Sequence, residues 1–471
     1  MEQPYTKEEV MLEADRCARC VNPICTAACP VQLDVRGMCE AVAKDDFRTA
    51  YNRIRETNPL LGVTARCCPQ MMGLCEDTCV YRLHGQPISI GMIQRFVADW
   101  ERNSSRQPGP VAGIETGKRV SVIGAGPAGL AAAALLRRYG HSVTIYEELP
   151  SAGGTAWYGI PDYHLPKDVL TYEIDRIKSM GVEIKTNTKV GRDLTLSQLI
   201  SEGSDAILIA AGPKDVTKLD TPGMNLAGVI EGYGFLEDVY VRGVNEYLAH
   251  PTYNLGKNIL VIGGGDSALD AARTALRLTG GTVTIVYRRT ENEMPADPFI
   301  VDETKEEGIQ IKFLTAPKSY NGTDGRMTSV TMYAMKLGDP DASGRRSPVI
   351  IPEADFEMKC DSVIVAVGRG PNSFLQKKWG LKTGKANAIA VDDHYRTSMV
   401  DVFAAGDVTT GESLVVKAMG HGREAAQRIH EYLMNLEAEH VSLFEKYYVE
   451  RSTDRYYLSM LGDEDKNLLP P

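Results

Sequence analysis

The chain has 471 residues, 43% of them hydrophobic and 24% charged, which is enough to fill two or three globular cores without disulfide staples. A formal charge of −10 and a pI near 5.5 argue against nucleic acid or an anionic membrane as main partner, since both reward net positive charge. The N-terminal MEQPYTKEEVMLEADRC lacks an apolar signal segment, and no stretch approaches the roughly 18 to 20 apolar residues of a spanning helix, so a cytoplasmic location is expected.

Residues 1–102 are rich in helix formers interrupted by cysteine loops, and predict a small α-helical domain with a partly inorganic core. Nine of the ten cysteines lie between Cys17 and Cys79. In a reducing compartment such a cluster points to metal ligation before disulfides. The spacing is C-x2-C-x4-C-x3-C-P at Cys17, Cys20, Cys25 and Cys29, then C-P at Cys68 with Cys75 and Cys79 following. Two groups, each with a Pro after one cysteine, match the two-cluster ferredoxin pattern and predict two [4Fe–4S] clusters. Structural zinc also uses C-x2-C pairs, but zinc relays no electrons. Either Cys67 or Cys68 serves as ligand on this reading, while Cys39 and Cys360 are structural thiols.

The Pro/Gly-bearing stretch 103–117 is expected to be a linker. An internal duplication follows: RVSVIGAGPAGLAAA recurs as NILVIGGGDSALDAA, and each copy closes on a related strand, DAILIAAG and DSVIVAVG. Apolar β-branched runs alternating with helical patterns predict parallel sheets. The fold class is therefore α/β, with two Rossmann-like dinucleotide-binding domains, for FAD and NADPH, preceded by the helical Fe–S domain. The expected boundaries are 118–252 and 367–436 for two segments of the FAD domain and 253–366 for the NADPH domain. Residues 437–471 match neither and form a tail, expected either to dock a partner or to lie on their own domain.

In the first copy Gly124, Gly126 and Gly129 form G-x-G-x-x-G between a strand and an Ala-rich helix that Pro127 and Ala128 open. The glycines permit the turn, the approach of a pyrophosphate and close helix packing, and the helix N-terminus faces the phosphate charge. Glu147, 23 residues past Gly124, is placed to hold a ribose hydroxyl. Gly154, and Gly406-Asp407 before a helix containing Val415, complete a set suited to FAD.

The second copy carries Gly263, Gly264, Gly265, Asp266 and Ser267, with Ala268 in the third glycine place and Gly368 closing the unit. After its next strand stand Arg288 and Arg289, where an NAD site offers an acid. A guanidinium pair suits a 2′-phosphate, which predicts NADPH rather than NADH. The pair of sites predicts hydride transfer from nicotinamide to flavin, the cofactors carrying the chemistry. A thioredoxin reductase-type dithiol is disfavoured, because GGGDSALDAAR contains no cysteine.

Taken together, the cysteine pattern, VIGAGPAGL, GIPDYHLPK, VIGGGDSALD, VYRRTENEMP and FAAGDV resemble the glutamate synthase small-chain family. Its relatives include the NADPH-binding half of dihydropyrimidine dehydrogenase and the flavoprotein subunit of NADH-dependent ferredoxin:NADP oxidoreductase. The resemblance, over residues 8–436, implies Cys17, Cys20, Cys25 and Cys79 on one cluster and Cys29, Cys68, Cys75 and Gln94 on the other. Glutamine at 94 matches the pyrimidine dehydrogenase branch; the glutamate synthase branch has glutamate. His164 in GIPDYHLPK departs from the cation often found there, and the Cys67-Cys68 doublet is a second departure. The family implies an NADPH-oxidising subunit that exchanges electrons with a partner oxidoreductase, and no amidotransferase or pyrimidine-reducing site is recognisable.

Overall fold

In the computed structural model, which describes residues 4–104, 112–217, 219–341 and 344–435, both copies of the duplication fold into parallel five-stranded sheets. The expected tail, 437–471, lies outside the described residues. The first sheet runs Val402–Ala404, Ala206–Ile209, Arg119–Ile123, Ser142–Tyr146, Glu183–Lys185, and the second Val229–Glu231, Ser362–Val365, Asn258–Ile262, Thr282–Val286, Gln310–Lys312. The duplicated strands Arg119–Ile123 and Asn258–Ile262 hold the same central place, and the strands of DAILIAAG and DSVIVAVG pair beside them. The edge strand differs in origin: it comes from late in the chain in the first sheet and precedes the fingerprint in the second.

The described residues divide into two compact units, those within 1–156, 162–213 and 371–435, and those within 157–161 and 214–370. This moves residues 214–252, expected with the FAD segment, into the second unit. Val229–Glu231 pairs in parallel with Ser362–Val365 there, and Phe235, Leu236 and Val239 enter the core around Ile259 and Ile364. The second unit also carries antiparallel strands Thr315–Thr323, Arg326–Pro340, Arg346–Ile350 and Phe356–Lys359, which the expectation of parallel sheets did not include. The first hairpin turns at Asp324-Gly325, both with positive φ, as a tight hairpin turn favours.

Among the described residues six α-helices precede the first sheet, Lys7–Asp15, Ile24–Ala27, Val35–Ala43, Phe47–Arg55, Leu61–Cys67 and Ile90–Asn103, with a short 3-10 helix at Val80–Leu83. Thr6 and Glu9 form a capping box, and Asp34 and Asp46 cap the helices that follow them. Met38, Ile54, Leu60, Leu61, Ile90 and Ile93 are at most 1% exposed, so this region also has an apolar core of its own. It belongs to the same compact unit as the first sheet. The physical ties are explicit: Arg55 pairs with the buried Glu173 at 2.6 Å, and the Gly62 N–H donates to the same carboxylate at 2.5 Å.

The expected linker is partly anchored. Residue 103 ends the last of those helices, and further on the Gly113 N–H bonds the Arg137 carbonyl and the Thr116 N–H that of Gly140. No helix among the described residues is long and apolar enough to cross a membrane.

A pair of imidazoles, one buried and one half-buried, lies in the first unit. His141 is fully buried, with Nδ1 2.7 Å from Thr116 Oγ1 and Nε2 2.9 Å from His430 Nδ1. Burial first, and then His430, hold its pKa down at about 4 against an ordinary 6.5. The unfolded chain therefore takes up a proton that the folded chain refuses. The stability contribution is complete above pH 6.5 and is lost as pH falls from 6.5 to 4, by up to about 3 kcal/mol. Urea unfolding midpoints followed over that range should decline, and His141→Gln should flatten the decline.

Candidate functional site

The first fingerprint is built by backbone crowding. Gly124 has φ 103°, and a Cβ there would stand 2.5 Å from the Ala210 carbonyl oxygen; a Cβ on Gly129 would stand 2.0 Å from that of Gly124. Neither obstacle is a flexible side chain, so glycine is required at both. Gly126 caps the helix Pro127–Arg138 with no side-chain acceptor, which leaves the first N–H groups facing outward. A Cβ on Gly154 would meet the Gly126 Cα at 2.8 Å, so the two loops form one backbone cradle. An anionic pyrophosphate fits such a cradle, because N–H donors and the helix dipole converge where no side chain intrudes.

Glu147, 6% exposed, accepts from the Ala125 N–H at 2.8 Å and the Leu149 N–H at 2.9 Å. Besides the expected ribose role, it therefore fixes the glycine turn itself. Gly406, φ 77°, brings the distant segment to the same place, since a Cβ on it would lie 2.8 Å from Ala128 Cβ. Asp407 is held by the Ser413 N–H at 3.1 Å and hydroxyl at 2.5 Å, and Val415 opens the helix Val415–Leu433 without a side-chain cap. That helix closes on the first one through Gly422, whose Cβ would strike the Ala128 oxygen at 2.1 Å.

The second fingerprint repeats the design. Gly263 has φ 151°, and a Cβ there would stand 2.2 Å from the Ala366 oxygen and 2.9 Å from Ala268 Cβ, so alanine in the third place is already in tight contact. Gly264 lies under the Tyr287 ring, where a Cβ would be 2.4 Å away. Tyr287 escaped the sequence reading; its hydroxyl donates to the Glu293 carbonyl at 2.7 Å and locks the ring over the turn. Gly265 caps the helix Asp266–Thr279, again with no side-chain acceptor, and Ser267 lies in its first turn. Asp266 accepts from the Asp297 N–H at 2.9 Å, and Gly368 has φ 94°.

The two arginines do not act as a pair. Arg289 is 4% exposed, bonds the Arg346 carbonyl at 2.7 Å and pairs with Asp341 at 2.6 Å. It therefore anchors the antiparallel strands, which leaves Arg288, exposed, as the cation facing solvent.

The cysteines separate into two sets. Cys17, Cys20, Cys25 and Cys79 line one small cavity of about 30 Å³, and the Cys25 thiol is pushed up by burial first and by Cys79, Cys17 and Cys20 next. Cys75 is pushed up by burial and then by Cys29 and Cys68. Of the doublet, Cys67 ends the helix Leu61–Cys67, and Cys68 is its C-cap. Gln94 is 5% exposed on the helix Ile90–Asn103. Cys39 is fully buried beside Cys17 and, by a thiol hydrogen bond, is the first cause of the Cys17 pKa falling to about 7. Among the described residues no three His, Cys, Asp or Glu side chains converge on a single-ion site. Four thiols held apart around a cavity fit a cuboidal cluster, whereas zinc draws its sulfurs to about 2.3 Å.

Comparison with known proteins matches two segments of the chain. Residues 118–422 match the pyridine nucleotide-disulphide oxidoreductase family, and residues 1–106 match dihydropyrimidine dehydrogenase domain II, 4Fe-4S cluster. The glutamate synthase [NADPH] small chain of Escherichia coli (strain K12) is 34% identical over 441 residues, covering 92% of this chain and 93% of that one. The chain belongs to the pyridine nucleotide-disulphide oxidoreductases, in their glutamate synthase small-chain group. It is accordingly an oxidoreductase whose cofactors are FAD, a nicotinamide dinucleotide and 4Fe–4S iron–sulfur. The NADP(+)-dependent formate dehydrogenase subunit beta of Moorella thermoacetica is 38% identical over 438 residues, and there the chain spans only 60% of the relative's length. The fold is also that of Mycobacterium tuberculosis FprA in complex with NADPH, with TM-score 0.57 at 20% identity over 68% of this chain and 85% of that one. For this member a dithiol in the second unit is ruled out by composition: its one cysteine, Cys360, is 4% exposed and pushed up to about 12 by burial.

Proposed function

We propose that the chain is the NADPH-oxidising electron-input subunit of a larger oxidoreductase complex, of the glutamate synthase small-chain type. The observation that carries this reading is that the cysteine sets and the first dinucleotide fingerprint share one compact unit, where Gly420 of the Val415–Leu433 helix packs against Pro30, next to Cys29. Bound at these residues, FAD would supply a hydride acceptor for NADPH and the clusters would supply one-electron transfer toward a partner subunit. The chain's own part is to hold and orient. Gly124, Gly126, Pro127, Ala128, Gly129 and Gly154 cradle the pyrophosphate, Glu147 reaches the ribose, and Gly406, Asp407 and Val415 hold the flavin end. Gly263, Gly264, Gly265, Asp266, Ser267 and Gly368 shape the NADPH site. Cys17, Cys20, Cys25 and Cys79 hold one cluster, and Cys29, Cys68, Cys75 and Gln94 the second.

The partner is a glutamate synthase large-chain-like subunit or another oxidoreductase. Glutamine at 94 matches the pyrimidine dehydrogenase branch, and the alternative assemblies are those of a dihydropyrimidine dehydrogenase, a sulfide dehydrogenase or a bifurcating ferredoxin:NADP oxidoreductase. Anaerobic purification should yield about eight irons per FAD with matching sulfide, and NADPH should bleach the flavin and develop cluster EPR signals. Flavin bleaching in an iron-free protein would overturn the relay.

The arginines now separate in test. Arg288→Glu should lower kcat/KM for NADPH about 10- to 100-fold and leave NADH little changed, because only NADPH loses a charge-assisted bond. Arg289→Ala should instead lower thermal stability, because it removes the buried guanidinium that bonds both Asp341 and the Arg346 carbonyl. An unchanged NADPH/NADH ratio in Arg288→Glu would refute the 2′-phosphate role.

A further inference from the structure

The helices Phe47–Arg55, Pro127–Arg138 and Lys167–Ser179 bound a cavity of about 350 Å³ that no cofactor site uses. All its lining residues lie in the first unit. Leu135, Ile177 and Met180 give it an apolar floor, while Arg55, Arg138, Arg176 and Arg423 bring four guanidiniums.

Two of these charges are matched. Arg55 is held by both oxygens of Glu173, at 2.6 and 3.0 Å, and Arg176 lies 3.4 Å from the fully buried Glu101. The other two are not. Arg138 donates to the Glu56 backbone carbonyl at 2.6 Å and Arg423 to that of Val31 at 2.7 Å, and among the described residues neither has a carboxylate within salt-bridge distance. These two like charges act on each other, and Arg423 is largely withdrawn from water. Arg138 is solvent-exposed and Arg423 also faces Cys29 and Glu424, so an anion would gain from both guanidiniums without having to rescue a buried pair. A second observation points the same way. Tyr51, 2% exposed, lines the cavity with a buried hydroxyl that has no hydrogen-bond partner among the described residues, and Arg55 Nε is likewise unpaired. Buried donors of this kind are costly unless a partner arrives.

We propose that this cavity binds a small amphipathic organic anion, its carboxylate or phosphate head held by Arg138, Arg423 and the Tyr51 hydroxyl and its apolar body laid on Leu135, Ile177 and Met180. The cavity is far larger than an inorganic ion requires, and its apolar floor would be wasted on one. The site is independent of the cofactor assignments.

The test is calorimetric titration of the purified holoprotein with octanoate and with octyl phosphate, with octanol and inorganic phosphate as comparators. One or both amphipathic anions should bind at a single site and octanol should not; which of the two binds more tightly identifies the head group. Arg138→Gln should weaken binding about tenfold, Arg138→Lys should restore part of it, and Asn52→Trp, at an exposed position on the lining, should block it. Arg288→Glu should leave binding unchanged. Failure of both anions to bind, equal binding of octanol, equal binding to Arg138→Gln and Asn52→Trp, or loss confined to Arg288→Glu would each overturn the proposal.

Discussion

Cys25→Ala should remove about four of the expected eight irons per FAD and lower electron delivery to a one-electron partner. Hydride transfer from NADPH to flavin, followed with a dye acceptor, should persist. The asymmetry follows from where the residues stand. Cys25 lines the same small cavity as Cys17, Cys20 and Cys79, while the flavin cradle is made by Gly124, Gly126, Gly129 and Gly154 from other segments. Cys360→Ala, in the second unit, should keep all the iron. Full iron and sulfide with unchanged EPR in Cys25→Ala would refute the ligand set.

Glu173→Ala should destabilise the first unit by about 3–5 kcal/mol, because it leaves a buried guanidinium without its counter-charge. The Glu173 side chain is 1% exposed, and its oxygens take both Arg55 nitrogens and the Gly62 N–H. One carboxylate thus ties the helix Lys167–Ser179 to two helices of the cysteine region. Substituting both partners, Arg55→Met with Glu173→Leu, should recover much of the loss, since an apolar pair leaves no charge orphaned except for the single N–H. Thermal unfolding of single and double variants measures this directly. A Glu173→Ala variant as stable as the parent would show that the pair contributes nothing.

The parts of the fold that were legible are those whose physics is local. A glycine with backbone oxygen 2.0 Å from where its Cβ would be, as at Gly129, tolerates no other residue, so G-x-G-x-x-G between strand and helix is visible in one dimension. The same holds for the duplication, because the two copies occupy equivalent central strands. Cysteine spacing similarly announced clustered thiols. The Asp324-Gly325 hairpin carries a local signal, a dipeptide that favours the turn, yet its antiparallel strands were not among the sequence expectations.

What sequence did not reveal depends on partners remote along the chain. Arg288 and Arg289 are indistinguishable as letters; only the return of the chain at Asp341 and Arg346 buries one of them. Strand Val229–Glu231 carries no mark of its sheet, and long-range pairing with Ser362–Val365 assigns it. The four arginines of the cavity come from four separate segments and meet only when the helices pack. The sequence by itself thus determined the cofactor class and the two-fold α/β design, since turn sterics and ligand spacing act within a few residues. Only the tertiary structure decided which charges are neutralised and which remain to meet a ligand, because a charge is matched by whatever the fold brings within a few ångströms of it.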